Sequence, residues 1–154
     1  MVATPEMCKA PVMSPASTGD RPGYLIKRAQ QALHQACTDR LRPAELSMSQ
    51  YAVLRALDDH PGASSAELAR ITFVTRQSLR DVLGGLQSAG LVTVAEQAST
   101  GRARPVTLTP SGRTRLKVAE DLITQVEAQM LGTLPSDQRR HLADLLRTCV
   151  DNLA

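Results

Sequence analysis

Apolar residues recur three or four positions apart along most of this 154-residue chain, and residues that commonly cap helices stand in front of these runs. Such spacing places the apolar side chains along one face of an α-helix. Aromatic residues are nearly absent: Tyr24, Tyr51 and Phe73 make up 2 % of the chain, and there is no Trp. A core of Leu, Val, Ile and Ala favours packed helices over a β-sandwich, and a chain of this length suits one domain.

Helix boundaries are predicted from the residues that flank each apolar run. Asp20 and Pro22 suit the start of the first helix, and Ser47 opens the second. The spacing of Ser64 and Glu67 is that of a capping box, which predicts the start of a third helix. The four helices are expected over about 22–41, 47–60, 64–70 and 75–89. Residues 1–19 contain three prolines without periodicity and are expected to form a disordered tail.

A short β-hairpin is predicted after the fourth helix. Gly90 stands where a left-handed residue ends a helix, and the β-branched run that follows predicts a strand over 91–94. The return strand is expected over 106–108, and the polar residues between the strands place Arg102 and Arg104 at the tip. Four helices precede the hairpin, and a helix–turn–helix followed by a β-hairpin is a winged helix-turn-helix, so the chain is predicted to be mainly α-helical with a hairpin wing.

Two further helices are expected after the hairpin, the first opening at Thr109–Pro110. The last carries an apolar seam at spacings of four, three and four, formed by Leu142, Leu146, Cys149 and Leu153. A small domain cannot easily cover such a seam, so residues 20–42 and 110–154 are assigned to dimerisation helices around a winged helix-turn-helix core at 46–109. In the alternative, these helices fold back onto their own domain.

Basic residues are concentrated in the middle of the chain. From Arg70 to Lys117 there are eight basic and two acidic residues, a net charge of +6, whereas the whole chain carries +3. A basic block within a nearly neutral chain indicates a polyanionic partner, and a solvated arginine-rich face is the plainer alternative.

Three stretches of the sequence resemble the MarR family of bacterial transcriptional regulators. They are LSMSQYAVLRAL, SSAELARITFVTRQSLRDVLGGLQSAGLV and GRARPVTLTPSGRTRL, and together they cover about residues 46–116. The last contains an L-T-x-x-G pattern at Leu108, Thr109 and Gly112. Thr100 stands where the family usually has an Asp in the wing, and Asp81 stands where it often has an Arg in the recognition helix. The resemblance implies a dimeric transcriptional regulator, often a repressor, that acts in the cytoplasm.

Residues at the start of the fourth helix are the predicted DNA contacts. Gln77 can pair bidentately with adenine, and Arg80 can pair with guanine or a phosphate. Asp81 can accept from cytosine, or hold Arg76 or Arg80 in position, which is the favoured interpretation. The full predicted set is Ser64, Thr75, Arg76, Gln77, Ser78, Arg80, Arg102 and Arg104. A dimer would place two such helices on a pseudo-palindromic duplex.

The resemblance also implies a small aromatic or phenolic effector that binds between the dimerisation helices and the DNA-binding lobe. The polar-tipped residues expected near that region are Tyr24, His34, Tyr51 and Arg55. Redox sensing is the alternative signal, but Cys37 lies near the end of its helix rather than at the start. Cys8 lies in the tail and Cys149 on the apolar seam, where it behaves as a small hydrophobe.

Motifs of other functional classes are missing from the sequence. It has no GxSxG, GxGxxG, GxxxxGK or HExxH pattern and no Cys/His cluster, so no enzyme, cofactor or metal site is expected. No apolar run approaches the roughly 20 residues that span a bilayer. The second class kept open is a winged helix that binds an acidic protein rather than DNA.

Overall fold

The computed structural model describes residues 17–95 and 105–154, and these residues form six α-helices and one antiparallel hairpin. The elements in chain order are α1 (Pro22–Leu41), α2 (Met48–Asp59), α3 (Ser65–Ile71), α4 (Arg76–Ser88), β1 (Val92–Val94), β2 (Val106–Leu108), α5 (Pro110–Met130) and α6 (Ser136–Asp151). The predicted order of helices and strands, and with it the mainly α-helical fold with a hairpin wing, is confirmed.

The chain divides into two compact units within α1, after Ala32. In the N-terminal unit, Ser17 caps a 3-10 turn over Thr18–Asp20, and its Oγ accepts from the Gly19 N–H at 3.2 Å. The prediction that Asp20 caps α1 is wrong, because Asp20 ends this turn and Arg21, in extended conformation, separates it from the helix. Residues 1–16 of the expected tail lie outside the described residues.

Reciprocal capping boxes begin α2 and α3. Ser47 Oγ accepts from the Gln50 N–H at 3.1 Å, and Gln50 Oε1 accepts from the Ser47 N–H at 2.9 Å. Ser64 and Glu67 form the same pair of bonds at the start of α3, as predicted from their spacing. The N–H and hydroxyl of Ser64 both donate to Glu67 and hold the pKa of its carboxyl below the ordinary value. These bonds satisfy backbone donors that a helix start would otherwise leave free.

The core of the second unit, residues 33–154, is aliphatic, and none of its described buried side chains is polar or charged. Helix α2 packs against α4 and α5, and the hairpin packs against α2 and α4. The largest of its fully buried side chains are Leu41, Val53, Leu54, Leu68, Leu79, Leu86, Val92 and Val106. This arrangement agrees with the expectation that a chain nearly free of aromatic residues packs through branched aliphatic side chains.

Helix α4 ends in a left-handed turn that leads directly into β1. Gly90 has a φ of +70°, the conformation predicted for it, which glycine adopts without steric cost. Its N–H donates to the Gln87 carbonyl at 2.9 Å, and the Leu91 N–H donates to the Leu86 carbonyl at 2.9 Å. These two bonds are those of a Schellman motif, so the chain leaves α4 at a defined angle toward the wing.

The start of α5 is held against the same turn. Thr109 caps α5 by accepting from the Gly112 N–H at 2.9 Å, and its hydroxyl donates to the Gly90 carbonyl at 2.7 Å. A Cβ added to Gly112 would lie 2.0 Å from the Leu91 carbonyl oxygen. Only glycine fits there, which gives the L-T-x-x-G pattern a physical reason.

The wing is a short antiparallel pair in which Thr93 lies opposite Thr107. Their hydroxyls are 2.8 Å apart on the exposed side of the pair, while Val92 and Val106 are buried on the other side. The residues between the two strands, 96–104, lie outside the described residues, and with them the predicted tip.

No residue of α6 is buried, although the helix carries an apolar seam. The exposed fractions are 37 % for Leu142 and 43 % for Leu146, and Cys149 is exposed as well. In the N-terminal unit the apolar side chains Tyr24, Leu25 and Ile26 are also more than two-fifths exposed. Within the described chain, the seam of α6 is therefore left uncovered. None of the described helices is both long and apolar enough to cross a membrane.

Replacement of Gly112 by Ala tests the close approach of α5 to Leu91. The added methyl group meets backbone rather than a mobile side chain, so we expect Gly112→Ala to lower the free energy of unfolding by about 2–3 kcal/mol or more. Gly84→Ala is the matched control, because a Cβ at Gly84 meets nothing within 4 Å. It should raise the stability by up to roughly 1 kcal/mol through helix propensity. Thermal unfolding followed by circular dichroism measures both, and equal melting temperatures for the two variants would contradict the packing described.

Candidate nucleic-acid interface

Helix α4 presents one apolar face to the core and one polar face to solvent. Leu79, Leu83 and Leu86 are buried, whereas the predicted contact residues Arg76, Gln77 and Arg80 are exposed. The described residues of α4 that were predicted to contact DNA therefore lie on its solvent-exposed face. The N-terminal end of the helix is free of covering structure in the described chain, so its side chains are available to a partner.

Two hydroxyl groups at the start of α4 are bonded to each other. Thr75 caps the helix by accepting from the Ser78 N–H at 3.1 Å, and Thr75 Oγ1 donates to Ser78 Oγ at 2.9 Å. The Thr75 proton is therefore engaged within the protein, while the proton of the exposed Ser78 hydroxyl is left for an outside acceptor. A phosphate oxygen is an acceptor of the right kind at a helix N-terminus.

The hydroxyl of Ser64, the remaining predicted contact in the described part of the lobe, is used internally. It donates to Glu67 at 2.7 Å and accepts from the Glu67 N–H at 3.3 Å. The half-buried position of Ser64 agrees with this capping role. Its contact with DNA stays a prediction.

Asp81 holds Gln77 rather than an arginine. Gln77 Nε2 donates to Asp81 Oδ1 at 3.3 Å, one turn along the exposed face of α4. Among the ion pairs of the described residues none joins Asp81 to Arg76 or Arg80. The favoured interpretation, in which Asp81 positions one of these arginines, is wrong, because its nearest donor is the amide four residues before it.

Cations on this side of the lobe have no acidic partner within the described chain. Arg70, Arg76 and Arg80 are exposed, and none of them belongs to an ion pair of residues 17–95 or 105–154. Other arginines of the described part are paired, as Arg115 is with Glu45 at 3.0 Å. The surface formed by Arg70, Arg76, Gln77, Ser78 and Arg80 therefore keeps its positive charge for a partner. Arg102 and Arg104 lie outside the described residues.

Tyr51 and Arg55, two of the predicted effector residues, lie one turn apart on α2. Arg55 pairs with Glu120 of α5 through Nη1, and it binds Asp59 through both Nε and Nη2, at 3.0 and 2.6 Å. The hydrogen bond that Arg55 donates to Glu120 is the main cause of the raised pKa of Arg55. The structure thus joins Arg55 to a carboxylate on another helix, a contact that sequence spacing did not reveal.

Tyr51 is half-buried beside this ion-pair cluster. Burial raises the pKa of its hydroxyl, and the nearby carboxylate of Glu120 raises it further. The hydroxyl is therefore neutral at physiological pH and able to donate a hydrogen bond. Tyr51 and Arg55 form a polar pair next to the α2–α5 contact, the only two of the four predicted effector residues that the described structure brings together.

The other two predicted effector residues are placed differently. His34 is exposed on α1, and its carbonyl oxygen accepts from Thr38 Oγ1 at 2.8 Å. Tyr24 belongs to the N-terminal unit, where the guanidinium carbon of Arg28 lies 6.0 Å from the centre of its ring. A cavity of about 570 Å³ also lies elsewhere, lined in part by Glu45, Arg115 and Val118. It includes none of the four predicted residues.

The described cysteines differ in environment. Cys37 is buried at the end of α1, and its burial, with a smaller effect of Glu127, raises the pKa of its thiol. A raised pKa lowers the thiolate fraction and so the reactivity of the group. Cys149 is exposed on α6. The residues described hold no group of three or more His, Cys, Asp or Glu side chains arranged to bind a metal ion.

Comparison with known proteins gives one consistent result. A family model described as MarR family matches residues 44–103. The HTH-type transcriptional repressor Rv2887 of Mycobacterium tuberculosis (strain H37Rv) is 38 % identical over 124 residues, which are 80 % of this chain and 89 % of the relative.

Solved structures of Rv2887 resemble this chain along most of its length. The complex with DNA has a TM-score of 0.71 at 34 % identity and covers 84 % of this chain and 97 % of that one. The complex with salicylic acid has a TM-score of 0.70 at 36 % identity and covers 84 % and 96 %. The identity, the coverage and the winged helix-turn-helix architecture agree, and we conclude that the chain belongs to the MarR family.

Proposed function

We propose that this protein is a homodimeric transcriptional repressor that binds pseudo-palindromic double-stranded DNA and releases it when a small aromatic acid binds. The observation that carries the proposal is the exposed N-terminal end of α4, where Arg76 and Arg80 have no acidic partner within the described chain. A similar repressor, Rv2887, has been crystallised with DNA and with salicylic acid. Since its partner is the genome, the protein acts in the bacterial cytoplasm.

Gln77 and Asp81 together suit the recognition of adenine. An amide reads adenine by donating from Nε2 to N7 and accepting at Oε1 from the N6 amino group. Nε2 carries two protons, and the bond of 3.3 Å to Asp81 uses one of them. The other proton and Oε1 stay free for the base. Asp81 therefore orients the reading group, while Arg76, Arg80 and Ser78 bind phosphates or guanine.

The apolar seam of α6 suits a twofold interface with a second copy of the chain. Leu142 and Leu146 lie one turn apart on this helix and are partly exposed, and Leu153, just beyond the end of the helix at Asp151, is almost fully exposed. Exposed apolar seams at this spacing are typical of helices that pack against a partner helix. Dimerisation would also set the distance between two α4 helices, which is about one helical turn of DNA, roughly 34–36 Å, in proteins of this kind.

Tyr51 and Arg55 are the described residues best suited to an aromatic acid. The neutral Tyr51 hydroxyl can donate to a carboxylate or phenol oxygen, and Arg55 can exchange Glu120 for a ligand carboxylate. The Arg55–Glu120 pair joins α2 to α5, so such an exchange would change a contact between the DNA-binding lobe and a dimerisation helix. Binding of the effector would in this way act on the DNA-binding surface.

Selection of duplexes from a random DNA pool tests the proposed function. We expect enrichment of a pseudo-palindrome and a steep loss of affinity between 50 and 200 mM salt, on the order of a hundredfold or more, because phosphate contacts release counterions. Salicylate at millimolar concentration should weaken binding to the selected duplex, and benzyl alcohol, which lacks the carboxylate, is its control. If the protein is instead a winged helix that binds an acidic protein, it should bind duplexes only non-specifically at physiological salt.

Gln77→Ala and Arg102→Ala are expected to separate base reading from phosphate binding. Gln77→Ala should lose discrimination at one adenine position of each half-site by roughly five- to a hundredfold, as for a bidentate base contact. Arg102→Ala, in the wing, should weaken binding to all duplexes about equally. Titration against the selected duplex and its single-base variants measures both. If the two variants lower affinity uniformly for every duplex, the assigned base contact is wrong.

Leu146→Glu tests the α6 interface. A carboxylate buried in an apolar seam is costly, so this variant should be monomeric at concentrations where the wild type is dimeric. Arg140→Glu introduces the same carboxylate on the opposite side of α6 and should stay dimeric. Sedimentation velocity gives the masses of both variants, with circular dichroism as the check on folding. A wild type that sediments as a monomer at micromolar concentration would remove the dimer from the proposal.

A further inference from the structure

Phe73, the one phenylalanine of the chain, lies almost entirely in solvent. Phe73 is 96 % exposed and lies in the turn between α3 and α4. The neighbouring apolar residues Ile71 and Val74 are half-buried against the core. Phenylalanine is among the residues most often buried in proteins, so a ring fully in water is an unfavourable arrangement for the free protein.

The backbone at Phe73 is unfavourable as well. Its φ is +55°, in the left-handed region that residues with a Cβ rarely adopt. The turn imposes this conformation, because the N–H groups on both sides of it are bonded: Thr72 N–H donates to the Leu68 carbonyl at 2.9 Å, and Val74 N–H to the Ala69 carbonyl at 3.1 Å. Glycine would adopt the same conformation without strain. Position 73 therefore combines an exposed aromatic ring with a backbone conformation that favours glycine.

The surroundings of the ring indicate what it meets. Phe73 comes two residues before Thr75, the N-cap of the helix whose first turns carry the predicted base contacts. It follows Arg70 and precedes Arg76, two exposed arginines that belong to no ion pair of residues 17–95 or 105–154. A helix that enters the major groove from its N-terminal end places the preceding turn at the edge of the groove, against the sugar–phosphate backbone.

We propose that Phe73 is a DNA-contact residue that packs its ring on the deoxyribose face of the strand bordering the groove, between phosphates bound by Arg70 and Arg76. Deoxyribose carbons are the apolar part of the DNA backbone, and a ring without hydrogen-bonding groups matches them while the flanking arginines match the phosphates. The proposal rests on the proposed DNA-binding function and adds to it an uncharged contact that raises affinity for any sequence.

The test compares Phe73→Ala, which removes the ring, with Arg76→Ala, which removes a charge. Wild type and variants are titrated with the selected duplex and with an unrelated duplex of equal length, at four salt concentrations. Phe73→Ala should weaken binding to both duplexes by roughly three- to tenfold, as expected for the loss of about half of a buried ring. It should leave the slope of log affinity against log salt unchanged, whereas Arg76→Ala should reduce that slope by about one.

Phe73→Gly removes the ring and the strain together. It should weaken DNA binding like Phe73→Ala and yet have a melting temperature equal to or above that of the wild type, which excludes misfolding as the cause.

Two results overturn the inference while the proposed function stands. One is wild-type affinity of Phe73→Ala in a protein whose wild type binds duplex, which would assign the ring to a protein partner. The other is a reduced salt slope in Phe73→Ala, which would mean that the ring acts by arranging the arginines. A wild type that binds neither duplex overturns the proposed function and this contact with it.

Discussion

The contact between Gly112 and the Leu91 carbonyl determines how the parts of the DNA-binding lobe are joined. At this point the end of α4, the first residues of the wing and the start of α5 meet within hydrogen-bonding distance of Thr109. The backbones approach so closely that a Cβ on Gly112 would lie 2.0 Å from the carbonyl oxygen. A rotation of α5 against α4 would have to break these hydrogen bonds together, so the contact fixes the start of α5 against the end of α4.

Much of this architecture could be predicted from the sequence, because local signals and burial agree. The capping box at Ser64, the left-handed Gly90 and the faces of α4 each follow from short-range rules that tertiary packing then obeys. The prediction that Asp20 caps α1 failed because Asp20 belongs to an additional 3-10 turn, which is capped by the Ser17 hydroxyl. Such competition between neighbouring polar side chains depends on small energy differences that a pattern does not contain.

The candidate site was predictable in its location but less so in its internal bonds. Exposure of Gln77 and Arg80 follows from helical periodicity, whereas the partner of Asp81 depends on which side-chain rotamers the exposed face allows. The pairing of Arg55 with Glu120 joins residues 65 positions apart, and no spacing rule reaches that far. Phe73 was counted in the sequence only as a scarce aromatic residue, because its exposure follows from a turn geometry that becomes visible in three dimensions.

The arginines of the described chain fall into two groups, those paired with an acidic residue and those that are not. On the side of α2 and α5, Arg55 is paired with Glu120 and Arg115 with Glu45. The charge of these two arginines is therefore balanced within the fold. On the side of α3 and α4, the only acidic residue of the α4 face, Asp81, binds an amide instead. Asp81 accepts from the Gln77 amide, and neither Arg76 nor Arg80 belongs to an ion pair of the described chain. The positive surface of α4 therefore depends on where the acidic residues of the chain lie as well as on the number of arginines.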